Sequence, residues 1–584
     1  MACEGIRGDT IISITITTTT TTTTRKAFMG QNPAPPKPGR GTLRKTRGAY
    51  FTPAEVARFI AAWAIRAASD RVLEPSCGEA AFLTEAVTRL RALGLTDAGW
   101  PAALHGHEIH PQSAAIARQL LAELGAGASI AEGDFFVREA RPEFDAVIGN
   151  PPFVRYQHFS GETRARALAA ALRQGVRLSG LAASWAAFVV HAGAFLKPEG
   201  RLGLVLPAEL LSVKYATEIR RFLLRRFARV RLVLFDHLVF PGVLEDVILL
   251  LAQGSGGTDH FEVYQAARPQ DLMQSLGQDW VGFHPRPDAK WTSALLPPEV
   301  LALYSAVVEG DGFAPLAHWG GSFLGSVTGN NGFFALSPAR ARALRLPPHE
   351  LLPISPPGGR HLSGLYFERT DWERLGQAGA ATLLFAPGED PSAAARRYIA
   401  LGEREGVSNA YKCRVRTPWW RVPLVDRPDL FCTYMNHRRP RLLANQAGAL
   451  VLNSIYGVRL SEPYRALGVR LLPLAALNSL SLLGAEIGGR IYGGGMLKHE
   501  PREIDALPVP AAALVEALAA DLEALAPEVA RLLALGEETR ATARVDDLVL
   551  RHGLGLAREA LDTLRAAREY LLDRRLTRGR GTHG

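Results

Sequence analysis

The chain has 584 residues, 47% of them hydrophobic, with a formal net charge of +10 and a mean hydropathy of +0.02. That length exceeds one core and predicts roughly two to four domains, and no apolar run reaches the ~18–20 residues of a membrane span. Cys3, Cys77, Cys413 and Cys432 are scattered without a CxxC pair, which argues against a zinc site or disulfide framework and fits a reducing cytoplasm.

Residues 1–45 read as a disordered leader, with a Thr run from Thr17 to Thr24 and helix-breaking Pro33, Pro35, Pro36 and Pro38. Met29 is an alternative start. Residues 1–50 hold eight Lys/Arg and two Asp/Glu, so +6 of the +10 lies there. The remainder is mildly basic, which is modest support for a nucleic-acid partner.

From Arg47 strand and helix signals alternate. The pattern predicts strands at 71–74, 102–108, up to Asp134, 144–149, 201–206, 230–235 and 247–252. Helices are predicted over 80–93, 111–124, 184–196 and 215–227. Such β–α alternation predicts a doubly wound sheet over residues 46–255, ended by Gly254-Ser255-Gly256-Gly257. Residues 259–510 are richer in Pro, Gly, Trp and Asn and predict a loop-rich α+β domain. Residues 511–584 predict helices and a basic tail at Arg574, Arg575, Arg578 and Arg580, read first as solvated and otherwise as a phosphate contact.

Chemistry gathers at the predicted strand ends, where open α/β sheets bind ligands. Glu74-Pro75-Ser76-Cys77-Gly78 forms a strand-to-helix turn whose free amides suit an anionic carboxylate. Glu108 ends the second strand and could accept from two ribose hydroxyls; Asp134 ends the third and could accept from an adenine amine, with Phe135 beside it. Singly, Glu108 and Asp134 would more often be solvated strand ends or caps; their recurrence at successive strand ends is the specific signal. Asn150-Pro151-Pro152-Phe153 follows the fourth strand. Two prolines fix φ and remove two donors. The Asn150 side-chain oxygen and the Pro151 carbonyl then remain as acceptors beside an aromatic face, a set that suits an exocyclic amine on a flat base. In isolation the four residues are equally an ordinary turn.

Together, Tyr50-Phe51-Thr52-Pro53, Leu73–Gly78, Glu108, Gly133-Asp134-Phe135 and Asn150–Phe153 resemble, in that order, the motifs of the gamma-class adenine-specific N6 DNA methyltransferases. Phe240–Val247, Val327–Phe334, Tyr411–Arg414, Pro418-Trp419-Trp420 and Gly493–Lys498 resemble the family's later landmarks, so the likeness spans roughly residues 46–510.

The resemblance implies a Rossmann-like S-adenosylmethionine-dependent catalytic domain, a target-recognition domain and C-terminal helices. Thr52, Glu74, Ser76, Cys77, Gly78, Glu108, Asp134 and Phe135 would line the S-adenosylmethionine site, and Asn150, Pro151, Pro152 and Phe153 the target adenine. Thr328, Asn330, Lys412 and Lys498 are the implied DNA contacts, though Thr328-Gly329-Asn330 also reads as a turn, both lysines as solvated side chains, and Trp419 and Trp420 more often as core than as base-stacking groups. No metal is implied. The implied partners are double-stranded DNA and, because no PD…ExK cluster is present, a separate cognate endonuclease; the implied setting is a bacterial cytoplasm.

Three departures stand out: His110 where members often carry Asp, Glu79-Ala80-Ala81 where many carry a second loop glycine, and Phe153 for the common Tyr. The competing readings are an RNA or protein-glutamine methyltransferase and a non-catalytic DNA-specificity protein. The long region after the catalytic half argues against the first, and intact Glu74, Glu108, Asp134 and Asn150 against the second.

Overall fold

The computed structural model describes residues 52–235, 247–285, 289–492 and 495–580, with the side chains of 578–580 excluded. The leader, Tyr50-Phe51, Phe240–Asp246 and Gly493-Gly494 therefore lie outside the described residues.

Residues 72–283 build one nine-stranded sheet. Its strands are β1 (Val72–Glu74), β2 (Leu104–Glu108), β3 (Ser129–Glu132), β4 (Phe144–Gly149), β5 (Leu196–Pro207), β6 (Arg229–Phe235), β7 (Val247–Gln253), β8 (Phe261–Ala266) and β9 (Val281–Phe283), in the order β3-β2-β1-β4-β5-β7-β6-β8-β9. The first five are mutually parallel, and β7 runs antiparallel to both neighbours. Helices α1 (Ala54–Ala64), α2 (Ala81–Ala92), α3 (Pro111–Glu123), α4 (Gly161–Arg173), α5 (Ser184–Gly193) and α6 (Thr217–Arg226) accompany these strands.

Burial on both faces explains the uninterrupted apolar runs: Val247 to Ala252 in β7 are all buried, as are Ala146, Val147 and Ile148 in β4. In α1 the buried residues Val56, Phe59, Ile60 and Trp63 recur at helical spacing. A Cβ at Gly203 of β5 would come within 2.6 Å of Ile60 Cγ2, so the missing side chain lets α1 lie close on the sheet. That contact carries Thr52, just ahead of α1, to the end of β4.

Two expectations are corrected here. Gly254–Gly257 does not end the sheet, and Val247–Ala252 is not its last strand. After the turn the chain adds β8 parallel to β6 and β9 antiparallel to β8, because the alternating Phe261 and Val263, with Ala266, need the same core. Nor are Arg574 and Arg575 a solvated tail. They lie within a 23-residue helix, Arg558–Arg580, with Arg575 fully buried.

Beyond the sheet the chain is mixed α+β. A five-stranded sheet (residues 320–324, 456–460, 430–432, 442–445 and 366–367, in spatial order) is joined by two three-stranded sheets. Helices Glu462–Ala475 and Ser479–Gly488 connect this region to the C-terminal helices. Arg575 links them: its guanidinium meets Glu486 through Nε at 3.0 Å and Nη2 at 2.7 Å, and donates to the carbonyls of His437, Arg438 and Gly495.

Candidate active site

The strand order reverses between β1 and β4, which places their carboxyl ends side by side. This is the switch point at which open α/β sheets hold ligands. A Cβ at Gly149 would lie 3.4 Å from Glu74 Cγ, so the β1 loop and the Asn150 loop are in contact.

The β1 loop turns sharply. Gly78 has φ +51° and Ala80 has φ +66°, so both occupy the left-handed region and the second is not glycine. The turn starts α2 beneath Glu74, whose Oε2 accepts from Leu83 N at 3.2 Å. Burial, with Glu108 nearby, holds the Glu74 carboxyl well above the usual carboxylate range. Cys77 is buried against Gly106, where a Cβ would lie 3.1 Å from its Sγ, and burial pushes its thiol upward.

Glu108 joins two loops. Its Oε2 accepts from Gly78 N at 2.8 Å and its Oε1 from His110 N at 2.9 Å. A carboxylate has about four acceptor positions, so two remain for hydroxyl donors. His110 supplies its backbone N–H here, a contact that any residue except proline makes.

Asp134 caps the following turn, accepting from Phe136 N at 3.0 Å through Oδ1. Its Oδ2 is buried without a hydrogen-bond donor, with the Arg166 guanidinium 3.5 Å away. The Ser76 hydroxyl is likewise buried and unpartnered. Phe135 departs from expectation: its ring is packed among Phe188, His191 and Phe195, at centroid distances of 5.7, 4.8 and 5.3 Å. It anchors the loop from inside the core.

At the end of β4, Asn150 Nδ2 donates to Thr52 Oγ1 at 3.1 Å. That bond orients the amide and leaves Oδ1 buried without any donor. A buried acceptor left empty is costly, so the atom is arranged for a donor from a ligand. Pro151 is buried and Pro152 half-buried, while Phe153 is 6% exposed. The ring expected to offer a stacking face is therefore mostly covered. The loop is gripped by Ser184, a residue absent from every sequence motif singled out above.

A groove of about 520 Å³ runs along the face of β2 and β3, lined by His105, His107, Ser129, Ala131 and Arg138, and reaches Asp134. Only a 3-10 turn, Phe135–Val137, separates β3 from β4, so no long crossover helix covers this face. Asp259, His260 and His284 bring three ligand-type atoms within 4.8 Å of one another, but at the amino end of β8, whereas Asn150 follows the carboxyl end of β4, four strands away.

The expected DNA contacts divide. Thr328 is 1% exposed and donates to Asn331 Oδ1 at 2.6 Å, so it does not present its hydroxyl to a partner. Asn330 caps the next turn through Phe333 N at 3.1 Å. Lys498 is paired with Glu500 at 2.9 Å, which neutralises it. Lys412 is exposed beside exposed Tyr411, its Nζ 5.6 Å from that ring centroid. Trp419 packs between Phe333 and Phe334.

Two family profiles match successive parts of the chain. The N-6 DNA methylase family profile matches residues 41–267, and that of the C-terminal domain of the type II methyltransferase M.Eco57I matches residues 288–550. Type II methyltransferase M.XamI of Xanthomonas campestris pv. amaranthicola is 25% identical over 486 residues, covering 79% of this chain and 85% of that protein. M.AccI of Acinetobacter calcoaceticus is 20% identical over 473 residues with the same coverages. Among solved structures, the type IIL restriction-modification enzyme MmeI in complex with DNA aligns with 87% of this chain and 73% of its own, at 13% identity and a TM-score of 0.48.

Proposed function

We infer that this chain, which belongs to the adenine-N6 DNA methyltransferases of type II restriction–modification systems, carries out that transfer at the Asn150 loop, on an adenine extruded from a specific duplex sequence. The single observation that carries this placement is Asn150 Oδ1, an empty buried acceptor oriented by Thr52 at the sheet's switch point. The order of the motifs, with the Thr52 segment first and the recognition region last, supports the gamma class.

Bound S-adenosylmethionine supplies an electrophilic methyl group on a sulfonium. The residues fit that group: Asp134 Oδ2, which has no hydrogen-bond donor beside the Arg166 guanidinium, the unpartnered Ser76 hydroxyl, spare Glu108 acceptor positions, and the amides of the β1 loop. Glu108 would hold the ribose hydroxyls and Asp134 the cofactor's adenine amine, while Cys77 and Gly78 let the ligand approach the backbone.

Adenine N6 is a weak nucleophile because its lone pair is delocalised into the ring. Asn150 Oδ1 and the Pro151 carbonyl accept the two N6–H bonds and favour a pyramidal nitrogen whose lone pair faces the methyl group. Fixed acceptors and correct approach, without a covalent enzyme intermediate, lower the barrier. Extruding the base costs a few kcal/mol, which Phe153 offsets once its ring faces the base.

Residues beyond the sheet, from about 289 to 510, read the DNA, with Lys412 and Tyr411 on the exposed surface. A separate endonuclease cleaves unmodified sites. The setting is the bacterial cytoplasm; among the described residues no single helix is long and apolar enough to cross a membrane. Single-molecule modification sequencing of DNA from a methylation-free host expressing the protein tests the reading. N6-methyladenine at one recurrent motif is expected. Folded protein with no modified adenine would refute it.

A further inference from the structure

Ser184 opens α5 and is 2% exposed. Its hydroxyl accepts from Val154 N at 2.9 Å and donates to the Pro152 carbonyl, while its own N–H donates to the Val154 carbonyl at 3.0 Å. One residue therefore holds the chain on both sides of Phe153.

A serine at a helix start ordinarily caps its own helix. Here Ala183 is the cap residue and no side chain caps α5; the Ser184 hydroxyl is spent on the neighbouring loop. That loop needs an external hold. Pro151 and Pro152 cannot donate backbone bonds, and β4 ends at Gly149. The loop's near end is fixed by the Asn150–Thr52 bond; its far end is fixed by Ser184.

We propose that Ser184 is a positioning residue for methyl transfer, holding the Pro152–Val154 backbone so that the Pro151 carbonyl and the Phe153 ring meet the extruded adenine in reacting geometry. The proposal rests on the assignment of the Asn150 loop as the adenine site. It predicts a specific split. Binding of S-adenosylmethionine depends on Glu74, Gly78, Glu108 and Asp134, none of which Ser184 touches, whereas the transfer step depends on the loop it grips.

The test compares wild type, Ser184→Ala, Ser184→Cys and Asn150→Ala as full-length proteins. It measures S-adenosylmethionine affinity, thermal midpoint and the single-turnover rate on unmodified duplex DNA carrying the motif that the sequencing identifies. Ser184→Ala is expected to bind S-adenosylmethionine within about twofold of wild type and to transfer methyl roughly 10- to 100-fold more slowly, because a displacement of about 1 Å costs up to that much. Ser184→Cys, with its weaker donor and acceptor, should fall between the two. A wild-type rate in Ser184→Ala overturns the proposal. So does a loss of S-adenosylmethionine affinity equal to the loss of rate, since that marks general disruption of the sheet edge. Should Ser184→Ala fail to fold, a wild-type rate in Ser184→Cys overturns it instead. Turnover retained by Asn150→Ala would refute the adenine-site assignment itself, whatever the Ser184 variants do.

Discussion

Ala80 carries a left-handed backbone, φ +66° and ψ +33°, at the start of α2, and its side chain is fully buried. Left-handed geometry costs a non-glycine residue about 1–2 kcal/mol. Ala80→Gly removes that cost. It also loses burial of one methyl, about 0.8 kcal/mol, and adds roughly 0.4–1 kcal/mol of unfolded-state entropy. The sum is a change of less than about 1 kcal/mol in either direction. Ala86 is the control: it is equally buried but lies inside α2. There glycine loses the same methyl and adds about 0.8–1 kcal/mol of helix penalty, so Ala86→Gly costs about 2 kcal/mol. Urea unfolding followed by a catalytic-domain probe, with S-adenosylmethionine absent, measures both variants. Equal destabilisation by the two would refute the claim that Ala80 is strained.

Asn150→Ala should lower the methyl-transfer rate by at least about 10²–10³-fold, the usual effect of deleting one preorganised polar contact to a reacting group, with DNA affinity by gel shift unchanged. Arg575→Met leaves Glu486 buried and uncompensated and should cost about 3–5 kcal/mol; Arg575→Met with Glu486→Leu should recover most of this in a thermal melt, and failure to recover any would show that the bonds to the loop carbonyls dominate. Burial pushes His191 and His499 down to about 4, so both are neutral in the folded protein while their unfolded counterparts protonate near pH 6.5. The unfolded state then binds more protons between about pH 6.5 and 4, so stability should fall across that window by up to about 1.4 kcal/mol per pH unit for each histidine. His499→Gln should flatten that slope, and an unchanged slope would contradict its burial in neutral form.

The catalytic half was legible because its signals are local. Strand β4 and Asn150–Phe153 are adjacent in sequence, and successive strand-end residues Glu74, Glu108 and Asp134 fall at β–α spacing. What was illegible depends on which partner each segment or side chain takes up. Strand β8 looks like loop-domain sequence until β6, some thirty residues earlier, is seen to need a neighbour. Arg575 reads as a tail residue because its carboxylate partner lies 89 residues upstream. Thr328 and Lys498 have partners near in sequence, Asn331 and Glu500, but residue types alone do not show these pairings. Ser184 gave no signal, since a serine at a helix start already has an ordinary explanation. Phe135 was placed correctly on its loop, but its ring turned inward toward aromatic residues contributed by α5 and the segment after it.

Arg575 also sets an order of events during synthesis. All nine strands of the catalytic sheet have been made once residue 283 is added. The carbonyls of His437, Arg438 and Gly495 receive their shared donor only when residue 575 arrives. At about 5–20 residues per second, the nascent chain spends roughly 15–60 s with all nine strands made and this donor still missing. A chain cut short before that helix would lack the donor that joins the carbonyls of His437, Arg438 and Gly495, in the region proposed above to read DNA.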